Sequence, residues 1–341
     1  MRPNQTPAPA PTRSWRILIA TLVLIAGSLS WAPAQEAPAT PPSDEAPGDD
    51  PSAAANPADR IITIDGSGGT QRGNLRSGPI IYEHPDARGI TATVSTLTIY
   101  GSYVELTAPE GTSISRGGER TATFQNGVEV NRGRLTANGP GLTYSEATGL
   151  GVLGEGVEVV IESEEEGEEP VFIAATQVSF DVDTDRSTST GDVRLDNGNQ
   201  SATAETLVFE EDRNLGVLTS EGAQVQITRT SEDGDDMVIS ADEIRVLTEA
   251  NMLYAVGNVT VVDGPITSRG SVVFFDDEQG IAEVIGSEGQ PAEAVDSESG
   301  ASLVTDRIKQ DIEFDFFEAI DASVASEFDP AAFALRDENQ E

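Results

Sequence analysis

Ile173-Ala174-Ala175-Thr176-Gln177-Val178-Ser179-Phe180, followed after a polar turn by Gly191-Asp192-Val193-Arg194-Leu195, is the stretch whose reading decides the fold. Val178, Phe180 and Val182 fall two residues apart, and Val193 and Leu195 flank Arg194 in the same rhythm. A period of two places successive side chains on opposite faces of an extended strand. One face is then apolar and the other wet, which is the signature of antiparallel sheet covered on one side.

Outward from this stretch the same unit returns. Toward the N-terminus stand Leu135-Thr136-Ala137, Leu142-Thr143-Tyr144 and Gly156-Val157-Glu158-Val159. Toward the C-terminus come Ala202-Thr203-Ala204, Leu207-Val208-Phe209 and Gly222-Ala223-Gln224-Val225, then Ile239-Ser240-Ala241, Ile244-Arg245-Val246 and Gly257-Asn258-Val259-Thr260-Val261. Weaker copies begin at Ile266 and Thr305. From Ala137 to Ala175, Ala204, Ala241, Ser268 and Thr305 the steps are 38, 29, 37, 27 and 37 residues. Long and short steps alternate, and the long ones coincide with acidic insertions at 162–169, 231–236 and 293–299. A chain that zigzags across a growing sheet gives this, with one set of turns short and the opposite set long. Two such sheets must cover each other, which predicts an all-β sandwich or jelly roll extended along one axis. The Gly heading each Gly-x-Val run is expected to supply a bulge or turn geometry.

Composition bounds the remainder. The 341 residues carry 59 acids against 20 Lys and Arg, a net charge of −39, which argues against nucleic acid as a partner. There is no cysteine, so no disulfide framework or thiolate metal site. Residues 1–34 read as an export signal, with Arg2, Arg13 and Arg16 before the apolar run Ile17–Leu29 and a small-x-small site at Ala32-Pro33-Ala34. That run is shorter than the roughly 20 residues a membrane span needs. Residues 35–59 are Pro, Ala and acid, expected to be a disordered linker. Residues 60–325 form the repeat region, and 326–341 an acidic tail expected to fray.

The pattern Ala-x-x-(Ile/Val)-x-(Phe/Val), a turn, then Gly-(Asn/Asp)-Val-x-(Val/Leu) resembles the OstA-like (LptA) family of periplasmic lipopolysaccharide transport proteins. The clearest copies are Ala174–Leu195 and Ile239–Val261, with weaker ones extending the resemblance over about 121–285. The resemblance implies an elongated open β-jelly roll holding lipid acyl chains in an apolar trough. It further implies other OstA-like envelope proteins as partners by edge-strand pairing, and a head-to-tail homo-oligomer. On that reading the trough-lining residues are Val159, Val178, Phe180, Val193, Leu195, Phe209, Val225, Val246 and Val259, with an amphipathic, lipopolysaccharide-like lipid as ligand.

Catalytic readings lack parts. His84 is the only histidine and reads as a loop residue. The acidic insertions could offer oxygen ligands to Ca²⁺ but fit neither an EF-hand loop nor a Gly-rich nonapeptide repeat, so solvated turns are the plainer reading. No catalytic residue, metal site or cofactor is expected. Two other classes remain: a structural or adhesive envelope spacer with a closed core, and a β-helix carbohydrate-active enzyme.

Overall fold

A computed structural model of the chain describes residues 56–163, 169–230, 236–312, 316–320 and 328–338. The chain divides into two units, Met1–Ala53 and Ala54–Glu341. The first lies outside the described residues, and with it the expected signal segment and most of the expected linker; the fold is that of the second.

Among the described residues twenty-two strands pair antiparallel in one continuous sheet. β1 (Thr63–Asp65), β2 (Thr70–Gly73), β3 (Ile80–Glu83) and β4 (Ile90–Val94) are short. β5 (Leu97–Thr107), β6 (Thr121–Arg132), β7 (Leu135–Ser145), β8 (Leu150–Ile161), β9 (Val171–Asp181), β10 (Arg186–Asp196) and β11 (Gln200–Glu210) are long. Short pieces β12 (Leu215–Thr219), β13 (Val225–Arg229), β14 (Met237–Ala241) and β15 (Glu243–Leu247) follow, then long β16 (Met252–Asp263) and β17 (Ile266–Asp276). Last come β18 (Ile281–Ile285), β19 (Ala292–Asp296), β20 (Ser302–Thr305), β21 (Arg307–Asp311) and β22 (Phe316–Ala319). The antiparallel ladders exclude a parallel β-helix for the described region.

The sheet is folded over on itself. Each long strand bends partway, and its two halves belong to different layers. On β11, residues 200–203 pair with β13 while 206–210 pair with β12. β16 divides likewise between β14 and β15, and β17 between β19 and β18. The ladder slips at each bend, between 125 and 128 on β6, 154 and 157 on β8, 190 and 193 on β10, and 256 and 259 on β16. Two consecutive residues with positive φ occupy each slip: Asn126-Gly127, Glu155-Gly156, Gly191-Asp192 and Gly257-Asn258. Gly reaches that region freely and Asn or Asp at modest cost, so the Gly-x-Val runs are the corner of the fold.

Beyond the corner, the two layers face each other across one apolar cluster. Val157, Val159 and Ile161 from one layer and Val178, Phe180 and Val182 from the other are all buried in it. Glu158, Thr176 and Gln177 lie on the exposed face. The period-two reading therefore holds for β8 and β9, whereas β12 and the end of β17 bury consecutive residues.

Three details differ from the sequence reading. The layer ending at Asp181, Glu210, Leu247 and Asp276 is joined only by short turns. Long and short turns alternate along the opposite edge, at 162–170, 197–199, 230–236 and 264–265. The alternating steps thus record one edge, not two opposed ones. Second, Glu293 belongs to β19; the extra length of the fifth step divides between the corner piece 286–291 and the turn 297–301. Of the other acidic insertions, 164–168 and 231–235 lie outside the described residues. Third, residues 328–338 do not fray. Phe333 and Leu335 are buried, and the segment lies on the outer face of β12 and β15.

Candidate functional site

Layers joined at a corner diverge away from it, so space between them collects toward the strand ends opposite the Gly-x-Val runs. There the structure holds a cavity of about 240 Å³. One wall is Ile161, Ile173, Leu195, Ala202, Ile227 and Ile239; the other is Leu207, Phe209, Leu218, Val246, Leu253 and Phe275. Small residues help to leave it unfilled: Ala202 and Gly216 occupy inward positions where a larger side chain would project.

On the N-terminal side the interior is plugged by Phe180, fully buried, with the Arg132 guanidinium 5.8 Å over its ring. On the C-terminal side it meets a buried polar group, in which Ser268 donates to Gln310 at 2.7 Å and Gln310 donates to Asp263 at 3.4 Å.

The mouth is crossed by polar clasps between the turns of the two layers. Arg132 pairs with Glu211 at 3.3 Å, and the Arg134 backbone N–H donates to the same carboxylate at 2.9 Å. The Arg134 guanidinium donates to the Asn214 side chain. Farther along, Arg229 pairs with Asp277 at 2.8 Å, and the Gln200 amide donates to Asp277 at 3.1 Å. Burial holds the Arg132 guanidinium below its ordinary value, against the pull of Glu211 and Asp185. Burial likewise pushes the Asp277 carboxyl up, with Arg229 opposing. Beyond Phe180, residues 59–62 close the mouth. Arg60 forks onto Asp183 at 2.6 and 2.9 Å, and Ile62 is buried.

Of the nine residues expected to line a trough, all face inward, and three border the cavity: Leu195, Phe209 and Val246. Val159, Val178, Phe180, Val193, Val225 and Val259 are packed solid, none more than 2% exposed. Four of these six sit beside the corner, where the layers converge. Ile161, Ile173, Leu207, Met252 and Phe275 border the cavity and were not singled out by sequence. Their signal is distance from the nearest Gly-x-Val run, not the alternation alone. His84 lies in the turn after β3, its Nδ1 accepting from the Asp86 N–H at 3.0 Å. Among the described residues no group of three or more His, Cys, Asp and Glu could hold a metal ion.

Residues 172–281, roughly a third of the chain, match the family described as LptA/(LptD N-terminal domain) LPS transport protein. Over this segment the chain is OstA-like. The OstA-like segment begins one residue before Ile173 and ends four after Asp277, so it supplies most of both cavity walls and the second clasp. No curated protein matches the chain. Twelve chains of solved structures do. One is LptH of Pseudomonas aeruginosa, titled the LptA homologous periplasmic component of the conserved lipopolysaccharide transport device. It is 16% identical, with a TM-score of 0.34, over 40% of this chain and 94% of that one.

Proposed function

We propose that this protein is a periplasmic carrier or bridge that shields the acyl part of lipopolysaccharide, or of a similar amphipathic glycolipid, on its way to the outer membrane. The observation that carries the reading is an apolar cavity between two layers, opening at a polar mouth and walled mostly by the segment that matches a lipopolysaccharide-transport family. Transferring hydrocarbon into such a space is favourable by about 0.8 kcal/mol per CH₂, so no covalent step is needed. At about 240 Å³ the cavity is just below the roughly 300–1,000 Å³ of drug-sized ligand pockets, so it suits part of an acyl tail and leaves the headgroup outside. On this reading Leu195, Phe209 and Val246 touch lipid. The sealed six would do so only if the layers part further. Partnership with other OstA-like envelope proteins by edge-strand pairing, and head-to-tail self-association, belong to the same proposal. Short terminal strands β20 and β22, with Val304 and Phe316 exposed, offer the edge.

The test is a photoreactive amino acid at Leu207, in protein purified without detergent, with mass spectrometry of whatever crosslinks. The carrier reading expects heterogeneous lipid adducts that disappear when Phe209→Arg is added. Folded protein giving no adduct at Leu207 removes the proposal. It would then leave the spacer reading, which the solid packing around Phe180 and Val259 favours.

A further inference from the structure

The cavity suits the tail of a ligand, and its rim restricts the head. The two arginines that border the cavity are already engaged by the rim itself. The Arg134 guanidinium donates to the Asn214 oxygen and to the Glu162 carbonyl, the latter at 2.7 Å. Arg229 and the Gln200 amide both go to Asp277. The Asn214 amide donates to Glu249 at 3.1 Å, and the Thr248 hydroxyl to the Asn214 carbonyl at 3.3 Å. The exposed charge around the opening is carboxylate: Glu162, Glu169 and Glu249. Among the described residues four carboxylates thus border the cavity against two arginines. The next cation, buried Arg132, lies outside the lining and is balanced by Glu211, with Asp181 and Asp185 close by.

Carboxylates accept hydrogen bonds and cannot donate them, so a partner for this rim must bring donors. Sugar hydroxyls do; phosphate monoesters and diesters bring more acceptors and more negative charge. The chain's net charge of −39 adds a long-range potential of the same sign. Resting on the carrier reading, we infer that the cavity selects lipids with an uncharged, hydroxyl-rich glycosyl headgroup over lipids with a phosphorylated one.

Two probes with identical fluorescent acyl chains test this on the full chain, in EDTA so that no divalent ion bridges carboxylate to phosphate. One is a monoglucosyl diacylglycerol and the other phosphatidic acid. At low salt the glucosyl lipid is expected to bind on the order of tenfold tighter or more, with the gap narrowing as salt screens the rim. The double variant Glu169→Gln, Glu249→Gln, changed only at exposed positions, is expected to narrow it as well. Equal or tighter binding of phosphatidic acid overturns the inference and leaves the carrier reading standing. A gap that neither salt nor the double variant moves also overturns it. Uptake of neither lipid overturns the carrier reading itself, and this inference with it.

Discussion

At the scale of single residues, the structure answers its charge surplus with a few well-enclosed ion pairs. Glu146 is the clearest. Its side chain is fully buried and accepts from the Ile62, Gly118 and Arg120 N–H groups at 3.0, 2.8 and 3.0 Å, and from the Arg120 guanidinium at 2.6 Å. Burial raises its pKa, but the Arg120 contact and the three backbone donors outweigh burial and hold the carboxyl below its ordinary value. The sign follows: this contribution is complete above the unfolded carboxylate pKa and is lost as pH falls through the lower folded one. Glu146→Gln keeps the shape, weakens four contacts and leaves the mostly buried Arg120 without its counter-charge. Its cost is expected at about 3 kcal/mol, read as a lower urea midpoint at neutral pH with an unchanged slope. Nothing in the alternation pattern marks Glu146, because its partners come from 26, 28 and 84 positions away. The corner residues were legible by contrast. A Gly or Asn ahead of Val is a local demand on φ, written where it acts.

At the scale of elements, strands could be read and the tail could not. Residues 326–341 look like acid to be solvated, yet Asp329 caps a short 3₁₀ turn at Pro330–Phe333 by accepting from the Ala331 N–H. Phe333 then lies 5.6 Å from the Tyr254 ring, and Phe328 stacks on Phe274 at 4.9 Å. Leu335 packs with Leu215 and Val217. Arg213 and Arg245 hold the backbone carbonyls of Ala334 and Phe333 at 2.6 and 3.0 Å. Val217, Tyr254 and Phe274 are apolar or aromatic on the face that alternation assigns to water. What sequence withholds is that this face and the tail meet. Glu338 and Asp337 are held below the ordinary carboxylate range by Arg245 and Arg186 respectively. Both acids are largely exposed, so each pair contributes under about 1 kcal/mol, present above that range and lost in acid. The aromatic anchor should therefore dominate. Phe333→Ala is expected to release the tail and speed amide exchange in β12 and β15, while Glu338→Gln leaves exchange near wild type. The reverse order would assign the docking to charge.

At the scale of the whole molecule, two quantities compete. The repeat fixes a sandwich whose layers grow strand by strand, and that much follows from a two-residue period and a recurring Gly. The volume left between the layers does not follow. It depends on summed side-chain sizes across strands far apart in sequence, such as Ile161, Ala202, Phe209 and Phe275. Charge is the second quantity. Acids outnumber bases 59 to 20, so exposed like charges repel throughout, while the clasps across the mouth attract. Salt weakens both, but unequally. Exposed charges beyond a Debye length of about 10 Å at 0.1 M are screened, whereas half-buried pairs such as Arg229–Asp277 are screened much less. Relief of repulsion should therefore win. Raising NaCl from about 10 to 150 mM is expected to raise the melting temperature by several degrees in scanning calorimetry. A fall in melting temperature over that range would mean that the clasps, not the packed layers, hold the two sheets together. The cavity between the layers would then open on salt.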